Sequence, residues 1–410
     1  MKDLCLEVRR MENLIGAWHA IRRNAETSQQ PLTKRRAREF GEYLPANLRK
    51  IQRQLLEGYK FSKAHGALPP KGPHKTGKRP IVVAPLPDRI VQRAILDVLQ
   101  ATTSSTGIQR VLATPTSIGG IPGRGVDAAI RIFQERVEAG DCYVAGSDIK
   151  GFFTKISRED VIAFLRRDGL DEPFVQLVAK ALAVELKNAD QLAPDDLKLF
   201  PTGRDGVAQG CPLSALAGNI VLEQFDREMN GRGITCIRYI DDFLLIGRSQ
   251  SSVLKALASA SKILRGLGMD IYNPAHDPGK AFAGVVGEPH SFLGYDLIPG
   301  EYPPSAKSCK RLLDQIRLLI SAGKRSIAKS MRGEELRSNE RCYAQTLVAI
   351  DNTLMGWRAS FSCSNAPQKF SELDSQVDRE LHDFRRYFLE KMAAGDGRMR
   401  RRATRVSLLA

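Results

Sequence analysis

One stretch constrains this chain more than any other: Cys236-Ile237-Arg238-Tyr239-Ile240-Asp241-Asp242-Phe243-Leu244-Leu245-Ile246-Gly247. It reads as a strand, a tight turn carrying two consecutive carboxylates, and a second strand ending at a glycine. The apolar, β-prone residues on either side hold two negative charges at short range against a hydrophobic sheet, which is costly unless something positive sits beside them. A hard divalent cation is the simplest such partner. Mg²⁺ held by one or two carboxylates plus substrate phosphates is an arrangement used for phosphoryl transfer. Asp is also common in solvated turns, so the dipeptide alone leaves both readings open.

Charge narrows the choice. The 62 Lys and Arg against 46 Asp and Glu leave a net +16, which favours a polyanionic partner, nucleic acid first. No apolar run approaches bilayer-spanning length and no signal peptide opens the chain, so the expectation is a cytoplasmic protein with no membrane partner. The cysteines are scattered, without Cys-x-x-Cys spacing. They read as reduced thiols and speak against a structural zinc site.

Along the chain, Leu4, Val8, Met11, Ile15 and Trp18 recur at helical steps and predict one amphipathic N-terminal helix with Arg9, Arg10, Arg22 and Arg23 around it. After a basic run at Lys34, Arg35, Arg36 and Arg38, a helix through Leu48, Ile51 and Leu55 should stop near Gly58. Lys63, Lys71, Lys75, Lys78 and Arg79 carry no acidic counterweight, and Pro69-Pro70-Lys71-Gly72-Pro73 with Lys75-Thr76-Gly77-Lys78 reads as a mobile basic hairpin tip suited to close over a triphosphate. A strand over 79–85 and a helix from Asp88 follow. The glycine-rich segment 117–125 opens a helix at about Val126 and reads equally as a phosphate loop or a plain connector. Residues 142–148 form a strand ending on Asp148, Ser157 and Asp160 make a capping box, and 215–229 read as one long helix. Three amphipathic helices, through Leu312 and Ile316, through Leu347 and Ile350, and through Leu373 and Val377, precede a tail around Arg400-Arg401-Arg402 that is expected to be flexible and suited to RNA phosphates.

Several of these stretches, in this order, resemble a bacterial reverse transcriptase of the lineage that includes group II intron-encoded proteins and defence-associated enzymes. Lys78-Arg79-Pro80-Ile81 through Asp88-Arg89-Ile90-Val91-Gln92 is similar to the family's fingers motifs. Ile121-Pro122-Gly123-Arg124-Gly125-Val126-Asp127-Ala128-Ala129 is similar to its Pro-Gly-Arg loop and helix, and Asp148-Ile149-Lys150-Gly151-Phe152-Phe153 to its first palm motif. Gln209-Gly210-Cys211-Pro212-Leu213-Ser214 resembles the Gln-Gly-x-Pro-x-Ser segment, Tyr239-Ile240-Asp241-Asp242 the Tyr-x-Asp-Asp hairpin, and Ser291-Phe292-Leu293-Gly294-Tyr295 the primer grip. One such match is weak; an ordered series makes accident improbable.

The resemblance implies an α+β right-hand polymerase fold. Its parts would be an N-terminal helical extension (1–44), fingers (45–140), a palm of antiparallel sheet with helices (141–300, with a fingers-side insertion near 160–208), a helical thumb (301–392) and a basic tail (393–410). It implies an RNA-directed DNA polymerase working by two-metal phosphoryl transfer. Two Mg²⁺ ions, with Mn²⁺ as the alternative, would sit on Asp148, Asp241 and the Ile149 carbonyl, with Asp242 the weaker ligand. Lys78, Arg79, Phe153, Gln209 and Gly210 are implied at the dNTP, Phe153 as the ring that excludes a 2′-hydroxyl. Tyr239, Phe292, Leu293, Gly294 and Arg124 are implied at primer or template, and Lys280 is the general-acid candidate. The segment before Lys280 is stretched relative to the family pattern, and Ala215 replaces its second proline. The implied partners are an RNA template, a DNA or RNA primer and dNTPs. The absence of an endonuclease-like segment after the thumb and of the retron Val-Thr-Gly motif points to a stand-alone enzyme acting with a cognate noncoding RNA in antiphage defence. The alternatives are a maturase-like RNA-binding protein assisting splicing and a template-independent or protein-primed DNA polymerase.

Overall fold

The computed structural model describes residues 3–28, 30–70, 77–103, 105–231, 233–337 and 339–404; Lys71 and Lys75 of the expected basic tip lie outside them. The chain divides into two units, Met1–Ala283 and Gly284–Ala410.

In the first unit, the N-terminal helix expected as one piece is two, α1 (Leu4–Arg9) and α2 (Met11–Glu26). Arg10 between them is extended (φ −60°, ψ 136°), and the Asn13 side chain donates to the Glu7 carbonyl at 2.6 Å, satisfying one of the acceptors freed at the end of α1. α3 (Pro31–Glu42) carries the basic run on its exposed side, and α4 (Leu44–Leu56) is followed by Gly58 at φ +95°, the left-handed stop its sequence called for. These helices have no separate core. Leu4, Val8, Trp18 and Ile51 share one with Ile90 and Ile95 of α5 (Leu86–Ala101), Phe174 of α10 (Glu172–Leu182) and Phe243 of the main sheet.

A small antiparallel pair, β1 (His65–Ala67) and β2 (Ile81–Val83), precedes α5; α6 (Thr106–Ala113) and α7 (Val126–Glu138) follow it. Then come β3 (Tyr143–Asp148), α8 (Phe152–Lys155), α9 (Arg158–Arg167), α10 and α11 (Pro194–Leu197). The expected long helix over 215–229 bends at Leu222 into α12 (Ser214–Val221) and α13 (Glu223–Asn230). β4 (Thr235–Tyr239), β5 (Asp242–Gly247), α14 (Gln250–Gly266) and β6 (Ala281–Val285) complete a four-stranded sheet in the order β4-β5-β3-β6. Consecutive residues from Phe243 to Ile246 are fully buried, which requires cover on both faces of the pleat. α14 packs against β3 and β5, and α7 and α13 against β4. The architecture is therefore α+β, with an antiparallel β4-β5-β3 arrangement at its centre.

The second unit begins with a short hairpin, β7 (Ser291–Phe292) and β8 (Tyr295–Asp296), and continues as α15 (Ala306–Met331), α16 (Tyr343–Ser360), α17 (Pro367–Ala394) and α18 (Gly397–Ala403). Leu312, Ile316, Ile350, Leu373, Val377 and Phe384 form its core, and Tyr343 stacks on Phe388 at 4.2 Å. The tail departs from expectation over α18: Asp396 caps the helix, Ala403 is fully buried and Arg402 donates to the Gly333 carbonyl at 3.1 Å. One buried alanine and two committed arginines, the second being Arg400, which donates to the Met392 carbonyl at 2.8 Å, are what turn this basic run into an anchored helix. Arg405 lies outside the described residues.

Gly218 of α12 offers a test of this packing. Replacing glycine by alanine inside a helix ordinarily stabilises by roughly 0.5–1 kcal/mol, but a Cβ here would come 2.6 Å from the Phe152 ring. Overpacking should win. Gly218→Ala is expected to destabilise by about 1–3 kcal/mol, read as a lower denaturant midpoint at unchanged slope.

Candidate active site

The pairing of Tyr239 with Asp242 leaves Ile240-Asp241 as a two-residue loop between β4 and β5. Ile240 has φ +61° and Asp241 does not share the left-handed region, the pattern of a type II′ turn whose first central position is normally glycine. A β-branched residue there is strained and persists only if its surroundings impose it.

They do so through Arg238, which is fully buried in the middle of β4. Its Nε and Nη2 donate to the Asp226 carboxylate of α13 at 2.7 and 2.5 Å. Nη1 donates to Asn219 Oδ1 and to the Ile240 carbonyl, each at 3.0 Å, and Nη2 also reaches Ser117 Oγ at 2.8 Å. Burial works to lower the Arg238 pKa, and the Asp226 carboxylate more than reverses this, so the guanidinium stays charged. The glycine-rich segment completes the cradle. Ile118 N donates to the Arg238 carbonyl and Arg238 N to the Thr116 carbonyl, both at 2.8 Å, while Asn219 Nδ2 donates to the Gly119 carbonyl at 3.0 Å. A Cβ on Gly119 would stand 2.6 Å from Ile240 N, so only glycine lets this loop lie under the turn. Of the two readings left open for the segment, the structure supports the connector: it is a brace for the hairpin.

On this turn the carboxylates gather. The β3–β5 register sets Asp148 directly opposite Asp242, and Ile149 N donates to the Asp241 carbonyl at 2.8 Å. Burial raises the Asp241 pKa against its own backbone N–H and the Arg238 and Arg79 charges. It is a desolvated carboxylate short of positive charge. Asp148 forms an ion pair with the Lys280 ammonium, and Asp148 N donates to the Lys280 carbonyl at 3.3 Å. Hard oxygen donors on two adjacent strands and on the turn beside them, the last under-compensated, are a donor set that suits a divalent cation of the Mg²⁺ type. Among the described residues, the group whose three ligand atoms all lie within 4.8 Å of one another is a different one, Asp3, Cys5 and Asp171. There the two carboxylates cap helices at Leu6 N and Phe174 N, and burial pushes the Cys5 thiol up to about 11.

The remaining expected residues fall in distinct places. Phe153 is half-buried with its ring 5.4 Å from that of Phe152, which is the core residue of the pair, and its carbonyl accepts from Val207 N at 2.7 Å. Gln209 bridges to Ile81 and accepts from Val82 N at 3.1 Å, so β2 abuts the Gln209-Gly210 segment. Gly210 has φ +110°. Arg79 is exposed and acts electrostatically on Asp241, while the Lys78 ammonium is held by the Asp196 carboxylate at 2.7 and 2.8 Å. The Arg124 guanidinium donates to the carbonyls of Leu112, Thr114 and Ser117, which ties the loop rather than offering a free cation. Tyr239 is half-buried at the end of β4. Phe292, Leu293 and Gly294 belong to the second unit, where Leu293 (φ +51°) and Gly294 (φ +90°) make the β7–β8 turn.

Sequence reading missed Arg238, Asp226, Asn219 and Ser117, although a signal was present: a charge inside an otherwise apolar strand must have a buried partner. It also missed Tyr272, whose ring receives two lysines.

A family model described as "Reverse transcriptase (RNA-dependent DNA polymerase)" matches residues 69–274. The chain is 32% identical over 150 residues to an uncharacterized 91 kDa protein in cob intron of Schizosaccharomyces pombe, covering 37% of this chain and 17% of that protein. It is 25% identical to Protein YkfC of Escherichia coli, covering 60% of this chain and 71% of that one. Among solved structures it is similar to a chain of a partial Cas6-RT-Cas1–Cas2 complex, with a TM-score of 0.35 and 20% identity over 63% of this chain and 42% of that one.

Removing one partner of the buried pair should expose its role. Arg238→Met leaves the Asp226 carboxylate buried without its counter-charge and is expected to destabilise by about 3–5 kcal/mol, measured by denaturant unfolding. The Arg238→Met/Asp226→Leu double variant should recover a large part of that loss.

Proposed function

The chain belongs to the reverse transcriptase (RNA-dependent DNA polymerase) family, and on that basis we propose that it is an RNA-templated DNA polymerase that extends a primer with dNTPs by two-metal phosphoryl transfer. The observation that carries this reading is the register that sets Asp148 opposite Asp242 with Asp241 on the strained turn beside them. Asp148, Asp241 and the Ile149 carbonyl would hold the ions, Mg²⁺ or alternatively Mn²⁺, with Asp242 contributing mainly its charge. Such ions supply Lewis acidity toward the primer hydroxyl and neutralise charge on the leaving pyrophosphate.

The chain's own side chains do the rest. Arg79 and, once released by Asp196, Lys78 bind the triphosphate as fork and point charges. Phe153 stands against the sugar and rejects a 2′-hydroxyl; Gln209 and Gly210 follow the nucleotide and template. Tyr239 lies at the primer end, Phe292, Leu293 and Gly294 grip the primer, and Arg124 serves the template through the loop it ties. Lys280 is the proton donor to pyrophosphate. The net +16 suits the RNA template and primer. The reading extends, by family analogy, to a cognate noncoding RNA and a role in antiphage defence in the cytoplasm. Among the described residues no helix is long and apolar enough to cross a membrane.

A second reading has one observation in its favour. The relative from Schizosaccharomyces pombe is a protein in an intron, so an RNA-binding role in splicing is the alternative, and sequencing the RNA that co-purifies separates an intron from a noncoding RNA.

In primer extension on an RNA template, the wild type is expected to incorporate dNTPs only with divalent metal, and Asp241→Asn to lose about 10²–10³-fold or more. Equal incorporation by the two proteins would sink the polymerase reading. Phe153→Ala should raise ribonucleotide use relative to deoxynucleotide use by about ten- to a hundredfold, scored by competing the two in the same assay.

A further inference from the structure

Tyr272 belongs to none of the short motifs quoted above, yet two lysines converge on its ring. Lys150 Nζ lies 4.7 Å from the ring centroid and Lys280 Nζ 5.3 Å, distances at which the negative face of an aromatic ring attracts an ammonium. The ring is fastened to the catalytic strand. Tyr272 N donates to Ser147 Oγ at 3.0 Å, and Ser147 Oγ donates to the Tyr272 carbonyl at 3.1 Å. Ile271 bridges Ile149 on the far side of Asp148. The loop from Tyr272 to Lys280 is closed by Asp277, whose carbonyl accepts from Lys280 N at 2.8 Å and whose carboxylate lies 3.9 Å from Lys150 Nζ.

Lys280 needs such a guide. Its side chain is nearly half exposed, and a long flexible chain of this kind explores many rotamers unless something restricts it. The ion pair with Asp148 cannot serve alone, because the proposed function gives that carboxylate another partner. The ring is a second seat that does not compete with it. We propose that Tyr272 is a positioning residue: its ring face keeps the Lys280 ammonium beside Asp148, with Lys150 as a second cation on the same ring. The inference rests on the polymerase reading for its effect on rate, but not for its geometry.

Two measurements test it. In steady-state incorporation, Tyr272→Leu is expected to lower kcat about tenfold with the dNTP KM changed less than about twofold, and Tyr272→Phe, which keeps the ring, to restore most of the loss. In a Lys280→Met background Tyr272→Leu should add nothing, because it acts through that lysine. Equal losses in the Phe and Leu variants, or full additivity with Lys280→Met, overturn the proposal. Lysine Cε NMR on the intact protein reads the geometry without turnover: the Lys280 signal should be shifted upfield by the ring and return to the ordinary position in Tyr272→Leu. An unshifted Lys280 signal in the wild type overturns the proposal, whereas a shifted signal in a protein that extends no primer supports it and rejects the polymerase reading instead.

Discussion

The buried contact between Arg238 and Asp226 is the interaction on which the geometry of the site depends. Taking both charges out of water is expensive, and such a pair often contributes little net stability compared with apolar residues of the same size. What it supplies here is position. One guanidinium reaches a carboxylate on α13, an amide on α12, a hydroxyl in the glycine-rich loop and the carbonyl of Ile240. Segments more than a hundred residues apart in sequence are thereby indexed to one strained turn.

The arrangement separates two opposing electrostatic demands. Below the turn, the fold requires a fully compensated cation. Above it, Asp241 is left desolvated and short of positive charge, a configuration that costs stability and is tolerated where chemistry needs it. Arg79 and Lys280 approach this carboxylate cluster from two other elements, one after the tip of the β1–β2 hairpin and one after the Tyr272 loop. The cluster's cationic partners thus come from outside the hairpin, while the cradle beneath is closed by backbone pairing with residues 116–118.

The glycines show how local freedom serves this design. Gly119 is needed because its α-carbon lies under Ile240 N, a requirement of close approach rather than of turn conformation. Arg124, taken from its motif as a nucleic-acid contact, donates to the carbonyls of Leu112 and Thr114 at the end of α6 and of Ser117 in the loop, tying one to the other. Here the motif's arginine serves architecture, which no spacing rule announces.

Much of the frame was legible in the residues alone. Runs of apolar, β-prone residues and turn chemistry located β3 and the β4–β5 hairpin, Ser157 caps its helix as its pattern indicated, and Gly58 ends α4. These are short-range effects, decided by steric and hydrogen-bond preferences within a few neighbours. The break at Arg10, the anchoring of α18, the partners of Arg238 and the convergence of Lys150 and Lys280 on Tyr272 were not legible. Each depends on which distant side chain arrives at a given point, and a one-dimensional pattern carries the need for a partner but not its address. The sequence by itself determined that two adjacent carboxylates sit on a hairpin in a basic chain of this family; only the tertiary structure decided, through the β3–β5 register and the buried guanidinium, that Asp148 stands opposite Asp242 and that the turn carrying Asp241 is kept in its strained form.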